Sequence, residues 1–264
     1  MESQNRCQAG LKKIVSRSFN KVFCLGLSRT GTTSLHEALL ALGLRSVHFP
    51  IHLFTQPEVL GLSPFQPSLR LGPYAAWRRG KELKASRVHH DARKILERSD
   101  AFCDLPVPLF YKELHRQFPG SKFIVTTRAL EPWLESMRWL FDEGGVLWNR
   151  GHIGDELHHR VYGTTSFDTC ALETAWTHHH SSVREFFQKR ESDCLWISVD
   201  RGELCFEALD AFLELGTGMR GPCPRTNEAK PVSAQQKLIH HREKKFLYSL
   251  LAVVSRKLGS FDRN

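Results

Sequence analysis

The chain has no hydrophobic run approaching the ~18 residues of a membrane-crossing helix. Its opening residues carry Lys12, Lys13 and Arg17 without the apolar core of a secretion signal. Seven cysteines, an odd number, are scattered without a CxxC pair, which argues against a disulfide framework or a zinc knuckle. Cys24, Cys103 and Cys194 instead fall inside apolar runs, where a small buried thiol is at home. These absences set the expectation of a soluble cytoplasmic protein in a reducing compartment. No spacing of metal ligands is evident, and His178-His179-His180 would face three directions of a helix, so no metal is expected. The sequence has no internal repeat and no long low-complexity tract.

The formal charge of +9 is distributed unevenly. Residues 1–20 hold four basic side chains against one acidic, and residues 216–264 hold ten against three, so the flanks carry +10 and the central part −1. No basic motif is interleaved with aromatics as base stacking requires, which excludes nucleic acid as the expected partner. Three regions follow: a basic N-terminal tail (1–20), an α/β domain (21–232), and a C-terminal amphipathic helix with a basic tail (233–264), the last read from Ile239, Phe246, Leu250 and Val253 at helical spacing.

Within the central region strand and helix patterns alternate. Strands are expected at 21–25, 46–49, 101–104, 122–127 and 194–199, and helices at 33–42, 81–98, 107–118, near Pro132, at 171–189 and at 205–215. This rhythm predicts a three-layer α/β/α fold around a parallel sheet of about five strands, like that of the P-loop nucleotide kinases. Residues 50–80, with five prolines and three glycines, read as a surface excursion. The glycine- and histidine-rich stretch 144–170 reads as a mobile loop or lid. Trp133, Trp139, Phe141 and Trp148 near it are candidates for core packing or for an apolar substrate wall.

The stretch from Val22 to Leu35 is an apolar strand, a turn bounded by Gly26 and Gly31, and the start of an amphipathic helix. Glycines there allow a tight turn, and the first amides of the helix converge on an anion at the positive end of its dipole. The nucleoside-triphosphatase form of this loop ends in GK[ST], whereas Thr32 stands in the lysine position, which argues against ATP or GTP hydrolysis. Arg29 supplies the loop's one cation. Gly-Leu-Ser-Arg-Thr-Gly-Thr-Thr-Ser-Leu resembles the 5′-phosphosulfate loop of sulfotransferases that use 3′-phosphoadenosine 5′-phosphosulfate (PAPS). About a hundred residues on, Arg128 ends an apolar strand and Ser136 follows eight residues later. An arginine there lies on the ligand-binding edge of a parallel sheet and offers a planar fork to phosphate, and the Arg-x7-Ser spacing resembles the 3′-phosphate site of the same family. Further likeness to a sulfotransferase-like branch lies in Asp104-Leu-Pro106, Tyr111 to Leu114, Phe118 to Phe123 and the turn Pro222-Cys-Pro-Arg225-Thr-Asn227. Residues 50–100 and 140–170 match least and are where acceptor specificity would be written.

The resemblance implies transfer of a sulfuryl group from PAPS, leaving the product PAP, to a hydroxyl or amine of a small-molecule, glycan or lipid acceptor. It implies that Ser28, Arg29, Thr30, Gly31, Thr32, Thr33 and Ser34 hold the 5′ end, that Arg128 and Ser136 hold the 3′-phosphate, and that Arg225 contributes to the donor site. Arg29 also stabilises charge on the leaving phosphate oxygen. Two residues compete for the role of general base. His48 ends the second strand and has an ordinary pKa near ~6.5; Asp104 stands where many cytosolic sulfotransferases carry a Thr-His-x-Pro histidine, and an aspartate, ordinarily near ~3.9, needs burial to act at neutral pH. One of the two can equally orient the other, and Asp104 can instead cap the helix after Pro106. A kinase on the same fold and a non-catalytic nucleotide-binding protein are the alternative functions; binding of PAP against ATP and GTP separates them.

Overall fold

The computed structural model describes residues 18–66, 68, 73–89, 91–144 and 152–226. The expected C-terminal helix, most of the N-terminal tail, Trp148 and Asn227 lie outside them. Five strands form one parallel sheet in the order β2-β3-β1-β4-β5, namely β1 (Val22–Cys24), β2 (Ser46–His48), β3 (Ala101–Cys103), β4 (Lys122–Thr127) and β5 (Cys194–Ser198). Alternation along β1 builds two cores. Phe23 and Leu25 face a large cluster with Phe102, Phe123, Trp133 and Phe187, while Val22 and Cys24 face a smaller one with Leu35, Leu39, Leu209 and Leu213.

The smaller core is roofed by α1 (Thr32–Ala41) and α9 (Phe206–Leu213). The larger is covered by α2 (His52–Thr55), α4 (Ala92–Arg98), α5 (Tyr111–Gln117), α6 (Leu130–Arg138), α7 (His152–Tyr162) and α8 (Thr169–Phe187), with α3 (Pro73–His89) packed against α2 and α7. Helices on both faces of a parallel sheet make the expected three-layer α/β/α architecture.

Several expectations are corrected. Residues 52–60 are no surface excursion: α2 and a 3-10 turn at Pro57–Leu60 bury Leu53, Phe54 and Leu60. Residues 152–162 are no loose lid, because α7 buries Leu157 and Tyr162 completely or nearly so. Each such side chain contributes roughly 1.5–3 kcal/mol of apolar burial, enough to fix a short segment that its prolines or histidines disguise. The helix expected at 81–98 is two helices, α3 and α4, separated where Asp91 caps α4 by accepting from the Arg93 and Lys94 amides at 3.0 and 3.2 Å. The helix expected at 107–118 begins as a 3-10 turn, Val107–Leu109, before α5. No side chain caps that turn, so Asp104 does not serve as its N-cap.

Gly26 occupies the tightest point of the sheet. A Cβ there would lie 1.9 Å from Thr126 Oγ1 and 2.9 Å from the Thr126 carbonyl oxygen, whereas one on Gly80, inside α3, would meet nothing within 4 Å. We therefore expect Gly26→Ala to cost at least about 2 kcal/mol of unfolding free energy, by forcing β1 from β4. Gly80→Ala should instead be neutral or stabilise by up to about 1 kcal/mol. Urea denaturation of the two variants checks both signs.

Candidate functional site

Chain connections leave β1 and β4 toward opposite faces, β1 into α1 and β4 into α6, so a crevice opens at the carboxyl ends of these neighbouring strands. Parallel sheets bind ligands at such a switch point. The loop 25–31 lies in it. The Leu25 amide donates to the Ile124 carbonyl at 2.7 Å, and Gly31, at φ 92°, turns the chain into α1. The N-cap residue Gly31 gives α1 no capping side chain and the first turn holds no carboxylate, so the helix itself offers nothing to offset the positive end of its dipole.

One face of α6 grips this loop. Trp133, Ser136 and Trp139 follow at intervals of three residues, which places them along one side of the helix and its continuation. Trp133 Nε1 donates to the Ser28 carbonyl at 2.9 Å, Arg29 Nε donates to Ser136 Oγ at 2.9 Å, and the Arg29 guanidinium lies 4.8 Å from the centroid of the Trp139 ring. The contact with Trp139 has the geometry of a cation–π interaction. Burial, and then the positive charge of Arg128, pull the Arg29 pKa down from its ordinary value, while Asp104 raises it. The two arginines therefore share one electrostatic environment.

The two candidate bases meet. His48 Nε2 is 3.5 Å from Asp104 Oδ2 and 3.2 Å from Thr33 Oγ1, and Asp104 Oδ1 accepts from the Ser28 hydroxyl at 3.1 Å. Arg29 (φ 70°), Phe49 (φ 53°) and Asp104 (φ 70°) all adopt left-handed backbone, each just beyond the carboxyl end of its strand. Such conformations cost of order 1–3 kcal/mol apiece in non-glycine residues and concentrate at functional sites.

Other expected site residues are placed differently. Ser136 Oγ is joined to Arg29. Arg128 Nε donates to Asp200 Oδ1 at 3.3 Å, and Asp200 Oδ2 also accepts from the Ala129 amide at 2.6 Å, fixing the start of α6. Thr30 is fully buried, its hydroxyl 2.7 Å from the Leu27 carbonyl oxygen and 2.9 Å from Thr126 Oγ1, so it braces the loop and presents no side chain to a ligand. Ser34 Oγ accepts from the Thr226 amide at 3.1 Å and ties the 222–226 segment to α1; the neighbouring Arg225 is exposed. Thr32 is buried at the first turn of α1.

Three residues behind the loop were given no part in the site by the sequence reading. Tyr162 closes α7, and its hydroxyl accepts from the Ser28 amide at 3.1 Å. His179 donates from Nε2 to the Leu25 carbonyl at 2.7 Å. His180 donates from Nδ1 to the Trp176 carbonyl at 2.7 Å, which leaves Nε2 to accept from the Thr127 hydroxyl at 3.0 Å. Testing the histidine run for chelation hid its use, although a polar pair inside an otherwise apolar helix face signals buried partners. Among the described residues no group of histidine, cysteine and acidic side chains is arranged to hold a metal, and no helix is long and apolar enough to cross a membrane.

The sulfotransferase domain family model matches residues 21–232, which include the sheet, the glycine loop and the crevice. The chain belongs to that family. It is 34% identical over 119 residues to Ava biosynthesis cluster protein M of Aspergillus versicolor, a match spanning 45% of this chain and 42% of that protein. The chain thus spans less than half the length of this curated relative. A sulfotransferase crystal structure from Alicyclobacillus acidocaldarius aligns with 81% of the chain and 87% of its own, at 14% identity and a TM-score of 0.43.

Burial pulls the pKa values of His179 and His158 down from 6.5 to about 4. The unfolded chain takes up these protons near pH 6.5 and the folded chain only near 4, so stability is complete above the higher value and falls as pH drops between the two. For His179 the loss should be on the order of 3 kcal/mol. His179→Gln keeps a donor for the Leu25 carbonyl and removes the titration, so its stability should decline less from pH 6.5 to 4 than that of the parent. Thermal melts across this range check it; parallel curves would refute the buried neutral imidazole.

Proposed function

We propose that the protein transfers the sulfuryl group of PAPS to a hydroxyl or amine of a small-molecule acceptor. Family membership supports sulfuryl transfer in general. The observation that carries the donor assignment is Arg29, held by Ser136 and Trp139 at the uncapped N-terminus of α1 and close enough to Arg128 for each to feel the other's charge. One doubly anionic donor matches that arrangement: phosphosulfate on the loop amides and Arg29, 3′-phosphate toward Arg128. Thr32 in the position of the P-loop lysine favours this donor over a nucleoside triphosphate.

The acceptor oxygen or nitrogen attacks sulfur in line. As the new bond to sulfur forms, the bond from sulfur to the 5′-phosphate oxygen breaks, and charge grows on that oxygen. Arg29 stabilises it, held at fixed geometry by Ser136 so that little reorganisation is needed. The acceptor proton passes to the His48–Asp104 pair. With Asp104 anchored by Ser28, we assign His48 as the proton acceptor and Asp104 as the group that orients it and stabilises its charged form. PAP and the sulfated acceptor are the products.

Thermal-shift titration tests the donor. PAP at 100 times its dissociation constant should stabilise the chain by about 2.7 kcal/mol, with ATP and GTP weaker at equal concentration; a preference for ATP would overturn the assignment. Transfer is read as radiolabel moving from PAPS into acceptors of a cell extract. Arg29→Ala should lower its rate about 10²- to 10³-fold, and undiminished transfer in that variant would refute the role given to Arg29 alone.

A further inference from the structure

A second concavity lies between α2, α3 and α7. It measures about 100 Å³ and is partly open, with walls that include Phe54, Pro57, Phe65, Leu83 and Ile153. For scale, a dry cavity of about 150 Å³ lined by aliphatic and aromatic side chains accepts benzene. Two charged side chains interrupt the apolar wall, Arg79 from α3 and Glu156 from α7.

The two are only loosely paired. Arg79 Nη1 is buried without a hydrogen-bond acceptor among the described residues, and it lies 3.9 Å from Glu156 Oε2, close enough for ion pairing and too far for a hydrogen bond. Glu156 Oε1 already accepts from Arg160 Nε at 3.1 Å and from the Ser68 amide at 2.6 Å. Two guanidiniums thus share one carboxylate. The acid beside them on α3, Glu82, is paired with Arg78 at 3.5 Å and accepts from the Ile153 amide. A guanidinium donor facing an apolar cavity is costly to desolvate, and an anion bound there would supply the missing acceptor in a charge-assisted hydrogen bond.

The cavity is also connected to the loop. Ile153 and Glu156 line it from α7, and the last residue of the same helix, Tyr162, binds the Ser28 amide. From Glu156 to Tyr162 the helix rises only ~9 Å. Phe65, on the opposite wall, stacks on Phe110 at 5.7 Å, at the end of the 3-10 turn that follows Asp104. We propose that this cavity receives the acceptor and selects a molecule with an aromatic ring or short alkyl body bearing a carboxylate, which binds Arg79; the acceptor role rests on the sulfuryl-transfer reading, whereas the carboxylate site stands on the cavity itself.

Calorimetric titration of the full chain with 4-phenylbutyrate and with its neutral isostere 4-phenylbutanamide tests the selection. The acid should bind about tenfold tighter. Arg79→Met should bring the two ligands within about twofold, and Glu156→Gln, which leaves both guanidiniums with one anion fewer, should tighten the acid further. Equal binding of acid and amide by the parent chain overturns the proposal without recourse to any variant, as does a preference that survives Arg79→Met in a variant whose melt remains cooperative. PAP binding measured on the same samples separates the two readings. Intact PAP binding without a carboxylate preference removes the cavity assignment alone. A carboxylate preference without PAP binding removes the donor and leaves a carboxylate site. With both present, hydroxylated aryl carboxylates should take more label from PAPS than their amides, and the reverse order would end the acceptor role.

Discussion

The close approach of β1 to β4 at Gly26 is the constraint from which the site is built. With no side chain at that position, the Leu25 amide reaches the Ile124 carbonyl and Thr30 comes within hydrogen-bond distance of Thr126, so the loop is anchored at its entry and near its end. Two anchors this close leave a short stretch to make the turn. Arg29, between them, takes a left-handed conformation, and Gly31 takes another before α1 begins. The cost of the first is sustained because interior hydrogen bonds over-determine the loop.

What the anchors leave free, the surrounding helices fix. Trp133 from α6, Tyr162 from α7 and His179 from α8 each hold one backbone group of the loop, its Ser28 carbonyl, Ser28 amide and Leu25 carbonyl respectively. All three side chains come from the single long excursion between β4 and β5. A strand connection of this length does more than return the chain to the sheet: it wraps the glycine loop from behind with aromatic and imidazole groups whose apolar bodies join the core while their polar atoms meet the backbone. Stability and site geometry are coupled through these contacts.

This division explains which features could be read from sequence. Strand order aside, the sheet was legible because buried parallel strands are short apolar runs, and 22–24, 101–103 and 122–127 are little else. The loop, His48 and Asp104 were legible because residues at the carboxyl ends of such strands converge whatever the details between them. Contacts from the intervening helices were not. The spacing of Ser136 from Arg128 carried no sign that Ser136 Oγ accepts from Arg29 Nε, a contact between α6 and a loop about a hundred residues upstream. The short elements at 52–60 were hidden because a helix of one turn has no periodicity to detect, and their prolines suit the first turn of a helix as well as a loop.

Charge in the crevice gives the remaining step. After burial, the larger electrostatic influence on Arg29 is the repulsion of Arg128, ahead of the attraction of Asp104. Asp200 is engaged at Arg128 and at the Ala129 amide, and Asp104 faces His48 and Ser28, so both of these carboxylates have structural work. A hydroxyl and an indole face meet Arg29 and help fix its direction. A guanidinium held in a fixed direction needs little reorganisation when an anion meets it in the crevice, and the proposed role in sulfuryl transfer calls on that property.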